Sequence, residues 1–183
     1  MAEKWFISDT HFFHGRIIEF RDGDNKLLRT KSDGTPFKNV YEMNEYIAKA
    51  WRKTVGPNDK VYHLGDVAFS TGIYKKELGE LMYSLPGNKY LCVGNHDEVE
   101  KIGKYFDKAS LWFKFNSEGF FASHVPIPVD QFRCSRQLHG HTHAAGDYMS
   151  ETGLYQSACV EMTDYFPVHV ETVMRKFKEA SER

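Results

Sequence analysis

The chain has 183 residues, a formal net charge of −1, 41% hydrophobic residues and 15% aromatic residues. Such a length suits one domain (1–183) with a substantial core, and the aromatic content argues against disorder. The charge balance excludes a global attraction to nucleic acid or anionic membrane, and no apolar run is long enough to span a bilayer.

The first apolar run, Lys4 to Ser8, reads as a buried strand that opens almost at once in MAEKWFISDTHFF, so no signal peptide is expected. It ends abruptly on Ser8-Asp9-Thr10-His11. Arg21 to Lys38 (RDGDNKLLRTKSDGTPFK) is polar, rich in turn dipeptides and locally positive. It reads as a loop or small hairpin (21–38) projecting from the domain, and as a candidate specificity element. Val40, Met43, Ile47, Trp51 and Val55 recur at helical spacing, with Asn39 as cap and Gly56-Pro57 as stop.

Lys60 to Leu64 is a second strand and runs into Gly65-Asp66. Tyr74, Leu78, Leu81 and Leu85 mark a second helix. Lys89 to Val93 is a third strand and ends on Gly94-Asn95-His96-Asp97. Strand–helix–strand order implies α/β packing with parallel pairing. Leu111 to Phe115 and Gly119 to Ser123 flank Asn116-Ser117-Glu118 as a hairpin, whose second strand closes on His124. Arg136 to His139 precedes Gly140-His141-Thr142-His143, and Leu154 to Val160 is a further strand. A last helix follows Pro167, with Val170, Val173, Met174 and Phe177 on one face.

Three cysteines, Cys92, Cys134 and Cys159, are odd in number and widely spaced, with no CxxC. That usage suits a reducing compartment, so a cytoplasmic location is expected.

Five polar clusters thus follow five strands. Ligands of α/β sheets gather at the carboxyl ends of strands, so these clusters should converge on one edge. They bring together Asp9, His11, Asp66, Asn95, His124, His141 and His143, with His96 and Asp97 beside them. Imidazole and carboxylate without thiolate suit divalent Mn, Fe, Co, Ni or Zn. Seven such side chains are too many for one tetrahedral ion and natural for two ions that share a carboxylate, a pair able to clamp a phosphoryl group and deprotonate a water. A lone Asp-x-His or Gly-Asp is common and means little. Gly-Asn-His-Asp and Gly-His-x-His, in this order and each after a strand, are far more specific.

At these residues the chain resembles the calcineurin-like metallophosphoesterase superfamily, in particular its small branch from bacteria and phages. The resemblance rests on Asp9-x-His11, Gly65-Asp66, Gly94-Asn95-His96-Asp97, His124 and Gly140-His141-Thr142-His143, and runs from about Trp5 to about Val170. It implies a four-layer α/β/β/α sandwich of two mixed sheets flanked by helices. By the resemblance, Asp9, His11, Asp66 and His143 hold one metal, and Asp66, Asn95, His124 and His141 hold the other, with Asp66 bridging. Two divalent ions are implied, manganese first, with iron, zinc, cobalt or nickel as alternatives. His96 is implied as general acid, with Asp97 orienting it, during in-line attack of a metal-bridging hydroxide on phosphorus.

Beyond these, His14, Arg16 and Arg133 are candidates for contacting the substrate phosphate. Arg21 and Arg136 also flank motif blocks. His63, His139 and His169 read as structural, and Phe12 and Phe13 suit the core better than a base-stacking role. The expected reaction is hydrolysis of a small phosphomonoester or phosphodiester of nucleotide type, with no membrane partner and no extended nucleic-acid surface. A nuclease, or a noncatalytic interaction scaffold of the same fold, are the alternatives; intact His96 and ligands favour an enzyme.

Overall fold

The computed structural model describes residues 2–69, 71–132, 134–146 and 153–182. Its strands are β1 (Lys4–Ile7), β2 (Lys60–His63), β3 (Asn88–Cys92), β4 (Lys108–Ser110), β5 (Trp112–Phe115), β6 (Phe120–Ser123), β7 (Gln137–His139), β8 (Tyr155–Ser157) and β9 (Val168–His169). The helices are α1 (Val40–Thr54), α2 (Lys75–Ser84), α3 (Val99–Ile102) and α4 (Val170–Ser181).

Two mixed sheets form, in the orders β4-β3-β2-β1-β9 and β5-β6-β7-β8. In the first, β1, β2, β3 and β4 run parallel and β9 antiparallel. In the second, β5 and β6 make the expected antiparallel hairpin, while β6, β7 and β8 run parallel. The parallel strands place their carboxyl ends together, as the motif spacing requires.

Strand alternation divides the apolar residues between two cores. From β1, β2 and β3, the residues Ile7, Val61 and Leu91 join Met43, Ile47 and Trp51 of α1 and Leu78 and Met82 of α2. Their neighbours Phe6, Leu64 and Cys92 face the second sheet and meet Phe115, Phe120, Ala122 and Leu138. Val173 and Phe177 of α4 close this inter-sheet core. Trp51 is fully buried and donates its indole N–H to the Pro86 carbonyl at 3.0 Å. Truncating such a side chain to alanine costs about 3–5 kcal/mol.

The expected cap is present: Asn39 Oδ1 accepts the Glu42 amide at 2.9 Å, and α1 ends at Thr54 ahead of Gly56-Pro57. Two strands escape sequence patterning, β4 and β9, of three and two residues. Both are too short to show an alternation. Among the described residues, no helix is long and apolar enough to cross a membrane.

The segment from Arg21 to Lys38 contains two antiparallel bridges, Arg21 with Leu27 and Thr30 with Pro36. Its tip is exposed, but Arg29 is completely buried. A cationic side chain from this polar stretch therefore reaches beneath the domain surface, and the segment is anchored rather than simply projecting.

Candidate metal centre

Each cluster sits where a parallel strand stops. The turn after β1 lies against the turn after β2, with the Asp9 amide donating to the Gly65 carbonyl and the His11 amide to the Asp66 carbonyl, both at 3.0 Å. The turn after β3 joins them through the His96 amide, which donates to Asp66 Oδ1 at 2.9 Å. The second sheet arrives from the other side: the His141 amide donates to Asp9 Oδ2 at 2.9 Å. This close approach explains the glycines. A Cβ on Gly94 would lie 2.3 Å from Asp66 Oδ1, and one on Gly140 would lie 2.0 Å from Ser8 Oγ.

Asp9, His11, Asp66, His141 and His143 all adopt positive φ, between 46° and 70°. Such backbone costs about 1–3 kcal/mol per residue and collects at sites where function over-determines the chain. Two groups of potential ligand atoms result: Asp9, His11 and His143, and Asp66, His124 and His141. Asp66 Oδ2 lies 3.5 Å from His11 Nε2 and 3.5 Å from His124 Nε2, between the two groups. Asn95 Oδ1 completes the second group, 2.9 Å from His124 Nε2 and 2.9 Å from His141 Nδ1.

The donor chemistry fits cations. His124 Nδ1 donates to the Leu64 carbonyl at 2.8 Å, so in the neutral ring Nε2 carries a lone pair. That lone pair faces the acceptors Asn95 Oδ1 and Asp66 Oδ2, an arrangement that a cation between them satisfies. In the other group, Asp9 Oδ1 and His11 Nε2 are buried polar atoms with no hydrogen-bond partner. Asp9 Oδ2 is occupied by the His141 amide and, at 3.2 Å, by the Cys159 thiol, which leaves Oδ1 facing the histidines. Burial, followed by the charge of Arg29, pushes the His11 imidazole far below its ordinary range. Burial and the neighbouring His124 likewise lower His141. Both shifts favour the neutral ring, the form in which imidazole binds a metal.

His96 is exposed at the rim, its ring centroid 5.7 Å from that of His11. Asp97, which the resemblance implies as the partner of His96, has a carboxylate that accepts backbone N–H groups: Asp66 at 3.0 Å, Val67 at 2.8 Å and Gly94 at 2.8 Å. These three main-chain bonds lock two ligand turns together.

His14 stands beside His11, with ring centroids 5.5 Å apart, and stacks on Phe69 at 4.3 Å. Burial, then the charge of Arg29, lowers its pKa. Arg16 is exposed on the short turn Gly15–Glu19 that follows. Arg133 lies outside the described residues. Arg136 is turned away from the site, over the Phe177 ring and bonded to Ser181. Arg21 bonds the Asn25 carbonyl within its own turn. Phe12 and Phe13 are core residues. His63 is buried against Thr10 Oγ1 at 2.9 Å, and burial lowers its pKa to about 3. His139 is buried, and His169 caps α4 by accepting the Glu171 amide. These three behave as structural histidines.

Glu161 was not read from the sequence. It sits in a short turn, Val160–Met162, just past β8, and its Oε1 lies 2.8 Å from His143 Nδ1 and 2.7 Å from Arg29 Nε. Its position beyond a strand end was the available signal.

Comparison with known proteins agrees with this geometry. The family model for calcineurin-like phosphoesterase matches residues 4–128. An uncharacterised protein of Methanocaldococcus jannaschii is 30% identical over 96% of this chain and 91% of its own. The Gene 66 protein of Mycobacterium phage L5 is 31% identical, over 82% of this chain and 68% of its own. A crystal structure of a protein of unknown function from Aquifex aeolicus superposes with a TM-score of 0.70 at 27% identity, covering 96% of this chain and 99% of that one.

Proposed function

The chain belongs to the calcineurin-like phosphoesterase family, and from this we infer that it hydrolyses small phosphate esters with two divalent ions, Mn²⁺ first among the candidates. The observation that carries the reading is the place of Asp66, whose Oδ2 is 3.5 Å from a histidine nitrogen of each ligand group. A carboxylate in that position suits two cations held by Asp9, His11 and His143 on one side and by Asn95, His124 and His141 on the other. When bound, such ions neutralise the phosphoryl oxygens and make a water acidic enough to serve as nucleophile near neutral pH.

The residues supply the rest. The hydrogen bonds that join the ligand turns preorganise the site, which limits reorganisation as charge develops on the phosphoryl group. His96, exposed beside His11, donates a proton to the departing ester oxygen as the P–O bond breaks, and the water oxygen takes that place on phosphorus. Asp97 fixes the turn that carries Asn95 and His96.

A nucleotide-type substrate is favoured by the aromatic rim. Phe69 and Phe20 are 38% and 42% exposed and flank His14, while Phe69 also stands 5.7 Å from His96, where a leaving nucleoside would emerge. Arg16, exposed two residues beyond His14, is the candidate to contact the phosphate. The free thiols of Cys92, Cys134 and Cys159 favour a cytoplasmic setting. The test is a hydrolysis screen of Mn²⁺-loaded protein against chromogenic mono- and diesters, nucleotides, cyclic nucleotides and short oligonucleotides. Turnover of small nucleotide esters is expected. Cleavage confined to oligonucleotides would replace this reading with a nuclease, and no hydrolysis of any ester would favour a scaffold.

A further inference from the structure

Arg29 and Glu161 form a fully buried ion pair, with side chains 0% and 3% exposed. Burying two charges is costly, and a pair of apolar side chains of similar volume often stabilises a fold equally well. The pair is placed where its charges meet ligand residues. Besides Glu161, the guanidinium donates to the Thr10 carbonyl at 3.1 Å and to the Asp9 carbonyl through Nη2. Asp9 and His11, on either side of Thr10, have φ of 58° and 46°. Arg29 therefore grips the strained main chain of one ligand turn with two nitrogens and Glu161 with a third.

Glu161 passes that grip to a second ligand. Its Oε1 accepts from His143 Nδ1 at 2.8 Å, which leaves the lone pair of the neutral ring on Nε2, 3.9 Å from Asp9 Oδ1. A carboxylate behind an imidazole fixes its tautomer and raises its basicity as a ligand. His124, in the other group, is braced by the neutral Leu64 carbonyl instead. The two groups thus have unequal support.

We propose that Glu161, held in place by Arg29, is a positioning residue that orients His143 for the metal of the Asp9–His11–His143 group and sets the affinity of that position alone. The proposal rests on the reading of those three residues as ligands. It also gives the segment from Arg21 to Lys38 a part in the metal centre, through Arg29.

The test uses the full chain stripped with chelator and reloaded with Mn²⁺, free Mn²⁺ being counted by its EPR signal. Glu161→Gln keeps the shape and an acceptor oxygen but removes the charge. It should weaken one of the two Mn²⁺ affinities by about 10- to 100-fold and leave the other unchanged. In a His143→Ala background the same substitution should do nothing further, because its target is gone. An equal loss in both backgrounds would make the pair a general structural element and overturn the proposal. So would an unchanged affinity in Glu161→Gln. Wild type that binds no Mn²⁺ would overturn the metal reading itself, and this inference with it. Long-range ¹H–¹⁵N NMR of the stripped wild type checks the geometry without any variant. The Nδ1-protonated tautomer of His143 is expected, and the Nε2-protonated form would overturn the proposal.

Discussion

The Asp97 carboxylate accepts the backbone N–H of Asp66 at 3.0 Å, so the turn after β3 is fastened directly to the turn after β2. The same carboxylate holds the amides of Val67 and Gly94, and burial raises its pKa despite those bonds. Asp97→Asn would point an amide N–H₂ at donors it cannot satisfy. We expect a loss of about 1–3 kcal/mol in denaturant unfolding of the stripped protein, as for an unsatisfied buried group. Unchanged stability with an altered pH–rate profile would instead return Asp97 to the role of orienting His96.

His96→Ala should fold, retain metal and lose turnover on esters with poor leaving groups, by about 10²- to 10⁴-fold for a lost general acid. With p-nitrophenol as leaving group the proton matters less and the defect should shrink. Equal defects across leaving groups would show that His96 does something other than donate a proton.

The segment from Arg21 to Lys38 should divide into two parts. Its tip is solvated: Asp24 and Lys26 pair with each other at 3.6 Å, with both side chains more than three-quarters exposed. Replacing both with serine should change stability by no more than about 0.5 kcal/mol. Arg29→Ala leaves Glu161 buried without its charge partner and should cost about 3–5 kcal/mol. Thermal unfolding of the two variants checks the contrast. Replacing the whole stretch from Asp24 to Pro36 by a short linker should therefore destabilise the fold, because Arg29 would go with it.

Acid should remove the same contribution. Burial alone would raise the Glu161 pKa, but the Arg29 charge and the His143 hydrogen bond outweigh it and hold the carboxyl at about 2. A depressed folded pKa means stability that is complete above the unfolded value, about 4.5, and lost as pH falls toward the folded one. The stability gap between wild type and Glu161→Gln should narrow progressively below about pH 4.5. A gap that is constant between neutral pH and pH 3 would contradict the assignment.

What could be read from the sequence follows from how each residue signals itself. Asp9, His11, Asp66, Asn95, His124, His141 and His143 were legible because each breaks an apolar strand with a polar side chain, often next to glycine. The helix of Val40–Thr54 announced itself by spacing and cap. Glu161 also follows a strand, but one glutamate in VEMTD has no motif around it to single it out. Arg29 entered only through the local positive charge of the 21–38 stretch, because composition cannot report burial. The backbone bonds of Asp97 were not legible either, because adjacency to His96 in sequence says nothing about which way a carboxylate turns.

The central claim is that Asp66 is shared between two ions, and the Mn²⁺ stoichiometry of Asp66→Asn beside single terminal-ligand variants tests it most directly. Elemental analysis after reloading should find two ions per chain in wild type, one in His143→Ala and neither at full occupancy in Asp66→Asn, with turnover falling most in the last. Two full ions and normal turnover in Asp66→Asn would contradict the account.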